Sequence, residues 1–154
     1  MNRFFIFLTV VILSGAFITG CKSHKKITAS SDTTNTVTSL DYVKKGNIQL
    51  DLKNYKKALE LLNKSIEMDA FNGEAFAYRG LAKYHLKDYK GAISDYDAAI
   101  NLIPDFGEVY DQRGLAKAEL GDKAGACEDW NQAFALGFND AYKLIEKFCI
   151  EESK

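Results

Sequence analysis

The chain has 154 residues, 47% of them apolar, with 20 Lys and Arg against 21 Asp and Glu and a formal net charge of −1. That length suits one folded domain plus a targeting segment, and the balanced charge argues against a phosphate-binding electrostatic face. A single proline, Pro104, among long helix-like stretches favours an all-α fold, and His24 and His85 lie too far apart for metal-ligand spacing.

Asn2 and Arg3 make a short positive start, and Phe4 to Ile18 is an apolar run broken only by Thr9, Ser14 and Gly15. The run is short of the roughly twenty residues needed to span a bilayer. Charge, then a short apolar core, then small residues is the secretory signal layout. The run ends in Ile18-Thr19-Gly20-Cys21. These residues resemble the lipobox of bacterial lipoproteins: an aliphatic residue, two small residues that enter a narrow peptidase site, then cysteine. The resemblance implies that residues 1–20 are removed. Cys21 then becomes the lipidated mature N-terminus, held firmly by two or three acyl chains. Loss of Arg3 leaves 19 basic against 21 acidic side chains, a mature charge of −2. Lys22, rather than aspartate, follows the cysteine, and by resemblance to bacterial sorting rules this favours the outer membrane over the inner. The alternatives are an uncleaved anchor helix or an ordinary signal peptide.

Residues 21–38 form the lipidated tether. They are rich in Ser, Thr and Lys and nearly free of apolar side chains, so they cannot bury enough surface to fold. A flexible coil of this length spans on the order of 25 Å. Lys22, Lys25 and Lys26 could touch anionic head groups or serve only as a solubilising run.

From residue 39 the sequence repeats every 34 residues. Gly46, Gly80 and Gly114 keep this step, as do Ala58, Ala92 and Ala126, and then Leu62, Tyr96 and Trp130. Ser65, Ala99 and Ala133 follow the same register, and Tyr42, Phe76 and Tyr110 give an aromatic four residues before each glycine. Within a unit the apolar positions fall at helical intervals in two blocks. In the second unit Asp88 stands between the blocks, where it can cap the second helix. These columns resemble the tetratricopeptide repeat. The resemblance implies a right-handed α-solenoid of three hairpins, at 39–72, 73–106 and 107–140. The first unit departs at Ser65, and at Ala70 where proline is usual. The third has Phe138 in the proline position and a Leu136-Gly137 stop. Residues 141–150 follow as a capping helix with an apolar face of Ala141, Leu144, Ile145 and Phe148, Asn139 serving as its N-cap, and 151–154 as a tail.

Cys127 and Cys149 lie at similar distances either side of the Gly137-Phe138 turn, so antiparallel helices would bring them level. An exported chain meets oxidants, which makes a disulfide one reading; two buried, reduced thiols are the other. Arg79 and Arg113 each precede an aspartate, Asp95 or Asp129, by 16 residues, which points to one ion pair made twice. Lys45 has Leu61 at that offset.

The family resemblance implies a concave face lined by the first helix of each hairpin, binding an extended peptide or a partner helix. The residues expected there are Lys44, Asn47 and Asp51, then Tyr78, Leu81 and His85, then Asp111, Gln112, Leu115 and Glu119. The family's carboxylate clamp is not expected. Asn47 resembles its asparagine, but Val43 stands where its first lysine belongs, and Tyr78 and Leu115 are not basic. No nucleophile elbow, phosphate loop or paired histidines point to an enzyme, a cofactor or a metal. The expectation is a membrane-anchored scaffold for another envelope protein or peptide segment. The alternative is an accessory ligand-binding subunit of an envelope enzyme or a glycan-uptake or cell-wall system.

Overall fold

The computed structural model describes residues 36–150, so the expectations for the signal segment, for Cys21, for the tether up to residue 35 and for the tail 151–154 lie outside the described residues. Helix starts follow from local chemistry. At Thr38 the hydroxyl accepts from the Asp41 N–H while the Asp41 carboxylate accepts from the Thr38 N–H, a reciprocal cap that opens α1 (Ser39–Asp51). The Asn72 side chain accepts from the Ala75 N–H at the start of α3 (Gly73–His85). Asp88 and Asp122 accept from Gly91 and Gly125 at the starts of α4 (Tyr89–Leu102) and α6 (Lys123–Ala135). The starts of α2 (Tyr55–Met68) and α5 (Gly107–Glu119) have no such bond; the Asn54 amide donates instead to Gln49. Each first helix closes through a left-handed residue at one repeat position: Lys53 (φ 58°), Lys87 (φ 65°) and Gly121 (φ 82°).

The helices pack chiefly on their sequence neighbours, as three hairpins stacked in order. What lets each pair approach is a small residue facing a large one. A Cβ built on Gly46, Gly80 or Gly114 would lie 2.7 Å from Leu62, 2.7 Å from Tyr96 or 2.6 Å from Trp130. The first-helix backbone therefore rests directly on the large side chain of the second helix, and the alanines Ala58, Ala92 and Ala126 are fully buried. Ser65 also finds a physical reason. It is buried, its hydroxyl donates to the Ser39 carbonyl at 3.0 Å, and the Ser39 hydroxyl lies 2.9 Å away. The later units put Gly73 with Ala99 and Gly107 with Ala133 in these two places. A Cβ on Gly73 would meet Ile103 at 2.8 Å, so a serine pair replaces a glycine–alanine pair only where there is room.

The stack closes with α7 (Ala141–Ile145), which continues as a wider π turn over Glu146–Ile150. Asn139 does not cap this helix with its side chain, contrary to expectation. Asp140 holds the N-cap position without a side-chain bond, and the Asn139 carbonyl accepts from the Tyr142 N–H at 3.2 Å. Cys127 and Cys149 are joined in a disulfide with Cα atoms 5.9 Å apart. The Phe148 ring sits 5.5 Å from Trp130, so the π turn carries both links back to α6. The all-α stack of three hairpins with a terminal helix is the architecture the sequence implied.

Ion pairs run between the helices in a repeated pattern. The Arg79 guanidinium donates to both Asp95 oxygens at 2.9 and 2.7 Å, and Lys83 lies 2.8 Å from the same carboxylate. Arg113 does the same to Asp129 at 2.9 and 2.6 Å, with Lys117 at 2.8 Å. Each arginine also reaches back one hairpin. Arg79 donates to Asn63 at 2.9 Å and Arg113 to Asp97 at 2.6 Å. Burial disfavours the Arg113 charge, but the hydrogen bonds to Asp129 and Asp97 overcome this and hold it firmly protonated. The first hairpin has Leu61 and Gln49 in place of the aspartate and the lysine, and Lys45 lies instead over the Tyr42 ring, 5.7 Å from its centre.

Candidate partner-binding groove

The geometry gathers only part of the expected surface. Tyr78 and Leu81 on α3 and Gln112 on α5 line one cavity of about 40 Å³, together with Ala77, Tyr96, Phe106, Glu108 and Val109. Tyr78 and Leu81 are half-buried, and their inner sides pack on the Leu50, Ala58, Leu62 and Ala82 core. Asp51 belongs to the same neighbourhood. Burial first, and then the negative charges of Glu74, Glu108 and Asp51, raise the Tyr78 hydroxyl above its ordinary value. Tyr96 forms the floor. It is almost fully buried, its hydroxyl has no hydrogen-bond partner, and burial pushes its pKa well up.

The other expected residues do not line this cavity. Lys44 is exposed and Asn47 half-buried on α1. His85 sits at the end of α3, stacked on Tyr55 with ring centres 4.5 Å apart, away from Tyr78 along the helix. Leu115 packs into the third core with Trp130, Ala141 and Ile145. Glu119 is exposed near the Tyr84 and Tyr89 rings, whose hydroxyls burial foremost, then the Glu119 charge, shifts upward. Glu74, Glu108, Phe106 and Val109 were missed by the sequence reading. Glu74 precedes Tyr78 by four residues and Glu108 precedes Gln112 by four, so the helical interval was the available signal.

Asp111 departs most from its expected place. It is 6% exposed, and its Oδ1 has no hydrogen-bond partner. Its repeat position holds the buried apolar residues Val43 and Ala77 in the earlier units, so the carboxyl points into packing rather than solvent. Burial, then repulsion from Asp140 and Glu108, pushes this carboxyl up to about 6. A folded pKa above the unfolded value means the native state binds the extra proton. Its stabilising effect is full below about pH 4 and is lost as pH rises through about 6. Asp111→Asn is therefore expected to raise stability by roughly 2 kcal/mol at pH 7.5 and by little at pH 4.0. Urea unfolding at the two pH values checks this; an equal change at both would refute it.

Among the described residues no cluster of three His, Cys, Asp or Glu is placed to hold a metal ion, and no helix is long and apolar enough to cross a membrane. Residues 42–72 match the tetratricopeptide repeat. No curated protein matches the chain. Among solved structures, the chain is similar to the first tetratricopeptide domain of Spaghetti (RPAP3) bound to the HSP90 peptide SRMEEVD, at 24% identity and TM-score 0.72, covering 76% of this chain and 94% of that one. It is similar to the first such domain of human RPAP3 at 26% identity and TM-score 0.69, covering 72% and 89% of the two chains. It is also similar to the Arabidopsis OM64 domain at 25% identity and TM-score 0.68, covering 71% and 92%.

Proposed function

We propose that this tetratricopeptide-repeat chain is an interaction scaffold that binds an extended segment of another protein along α1, α3 and α5. A lipid on Cys21 holds it in the bacterial envelope, at the outer membrane. The observation that carries the binding reading is the small hollow bounded by Tyr78, Leu81, Glu108 and Gln112 on adjacent first helices. An aromatic and an aliphatic anchor beside polar groups is the composition of a peptide-binding surface. The similar RPAP3 domain is bound to a peptide in its own structure, which supports the same use here. The anchor rests on Ile18-Thr19-Gly20-Cys21 after a short apolar run.

Crosslinking and affinity capture from solubilised membranes test the reading. A stoichiometric protein partner is expected, and Tyr78→Glu with Leu81→Glu should reduce its capture at least tenfold while the helical circular dichroism is kept. Retained capture would sink the groove assignment. Specific binding of a soluble glycan by the isolated domain would favour the accessory-subunit alternative. For the anchor, Cys21→Ser should move the chain out of the membrane fraction; unchanged fractionation would remove the lipid from the proposal.

A further inference from the structure

The two helices that line the cavity, α3 and α5, carry both charge signs, but on them only one sign is left unpaired. On α3 the cations Arg79 and Lys83 are both bonded to Asp95 at 2.7–2.9 Å. On α5 Arg113 and Lys117 are bonded to Asp129 in the same way, and Arg113 also to Asp97. These cations turn toward the second helices. The charges left around Tyr78 are acidic: Glu74 and Glu108 are exposed, and Asp51 is exposed near them at the end of α1. Glu108 lines the cavity with Tyr78 and Gln112, and Glu74 shares the α3 face of Tyr78. Asp111 lies just behind, within reach of the Glu108 and Asp140 charges. Lys44 and Lys45 are the exposed cations of α1, outside the cavity lining, with Lys45 over the Tyr42 ring, and His85 is stacked on Tyr55.

We propose that the groove selects a basic partner: an extended protein segment whose lysine or arginine side chain lies over Tyr78 between Glu74 and Glu108. The inference rests on the groove reading above and deepens it. A cation over a tyrosine face gains from the ring quadrupole as well as from the two carboxylates. An acid-ended peptide meets like charge here, because every arginine and lysine of α3 and α5 is already held by an aspartate. Neutral side chains of the segment would use the cavity walls of Phe106 and Val109.

Fluorescence anisotropy on the mature chain in detergent tests this, with two labelled probes. One is (Lys-Ala-Leu)3 with an amidated end; the other is (Glu-Ala-Leu)3 with a free carboxylate. The basic probe should bind at least tenfold tighter and weaken as salt is raised. Glu74→Gln with Glu108→Gln should reduce its affinity at least fivefold. The control pair Glu128→Gln with Asp105→Asn, exposed and outside the cavity, should leave it within a factor of two. Equal loss in the control pair would overturn the proposal in favour of diffuse charge attraction. Tighter binding of the acidic probe, lost on Tyr78→Ala, would overturn the charge assignment while leaving the groove as the binding site. Binding of either probe that ignores Tyr78→Ala and Leu81→Ala, or binding of neither, would overturn both.

Discussion

Replacing Trp130 with alanine is expected to lower the unfolding free energy by about 3–5 kcal/mol. The indole is 1% exposed, carries the backbone of α5 at Gly114, and meets Phe148 on the π turn. Its removal would open a cavity that three elements line, and none can close it without giving up another contact. The indole Nε1 has no hydrogen-bond partner, so packing rather than a polar bond accounts for the loss. Phe71 supplies the internal comparison: at 83% exposure, its replacement by alanine should change stability by less than about 0.5 kcal/mol. Urea denaturation of the two variants decides the matter, and similar midpoints would contradict the packing argument.

Asp95→Ala should cost about 2–3 kcal/mol, and more than Asp129→Ala. Both substitutions strand an arginine and a lysine that are about one-fifth exposed. Arg113 keeps a second carboxylate, Asp97, at 2.6 Å, whereas Arg79 keeps only the neutral amide of Asn63 at 2.9 Å. Thermal unfolding at low salt gives the order directly, and a larger loss for Asp129→Ala would show that the backward contact to Asp97 carries little weight.

The repeat was legible because its packing has a fixed period. The glycine and its large partner sixteen residues later must recur whenever the same hairpin is built, so the columns of Gly46 and Leu62, Gly80 and Tyr96, Gly114 and Trp130 announce the fold. The Arg–Asp pairs were legible for the same reason. The backward contacts to Asn63 and Asp97 were not, because they depend on how hairpins stack rather than on how one hairpin folds. The left-handed column of Lys53, Lys87 and Gly121 was hidden by its lysines, since only the third member is a residue that prefers positive φ. The groove was half legible. The family resemblance places Asp111 and Leu115 on the concave face, but Asp111 falls in the buried column of Val43 and Ala77, and Leu115 packs against the core that includes Ala141 and Ile145 of the terminal helix. His85 was placed by the family resemblance; it is exposed at the end of α3 and stacked on Tyr55, a contact between hairpins that the sequence did not reveal.

The backward reach of the arginines makes the stack uneven along its axis. The junction between the second and third hairpins carries the charged Arg113–Asp97 contact, and a disulfide clasps the far end. The junction between the first and second carries a neutral one, and among the described residues the first hairpin has no ion pair joining its two helices. In a structure where each unit touches only its neighbours, opening begins at the weakest end. Tension entering from the N-terminal side would peel the first hairpin away first, uncovering the inner sides of Tyr78 and Leu81 on α3 while α5 stayed clasped between its neighbours.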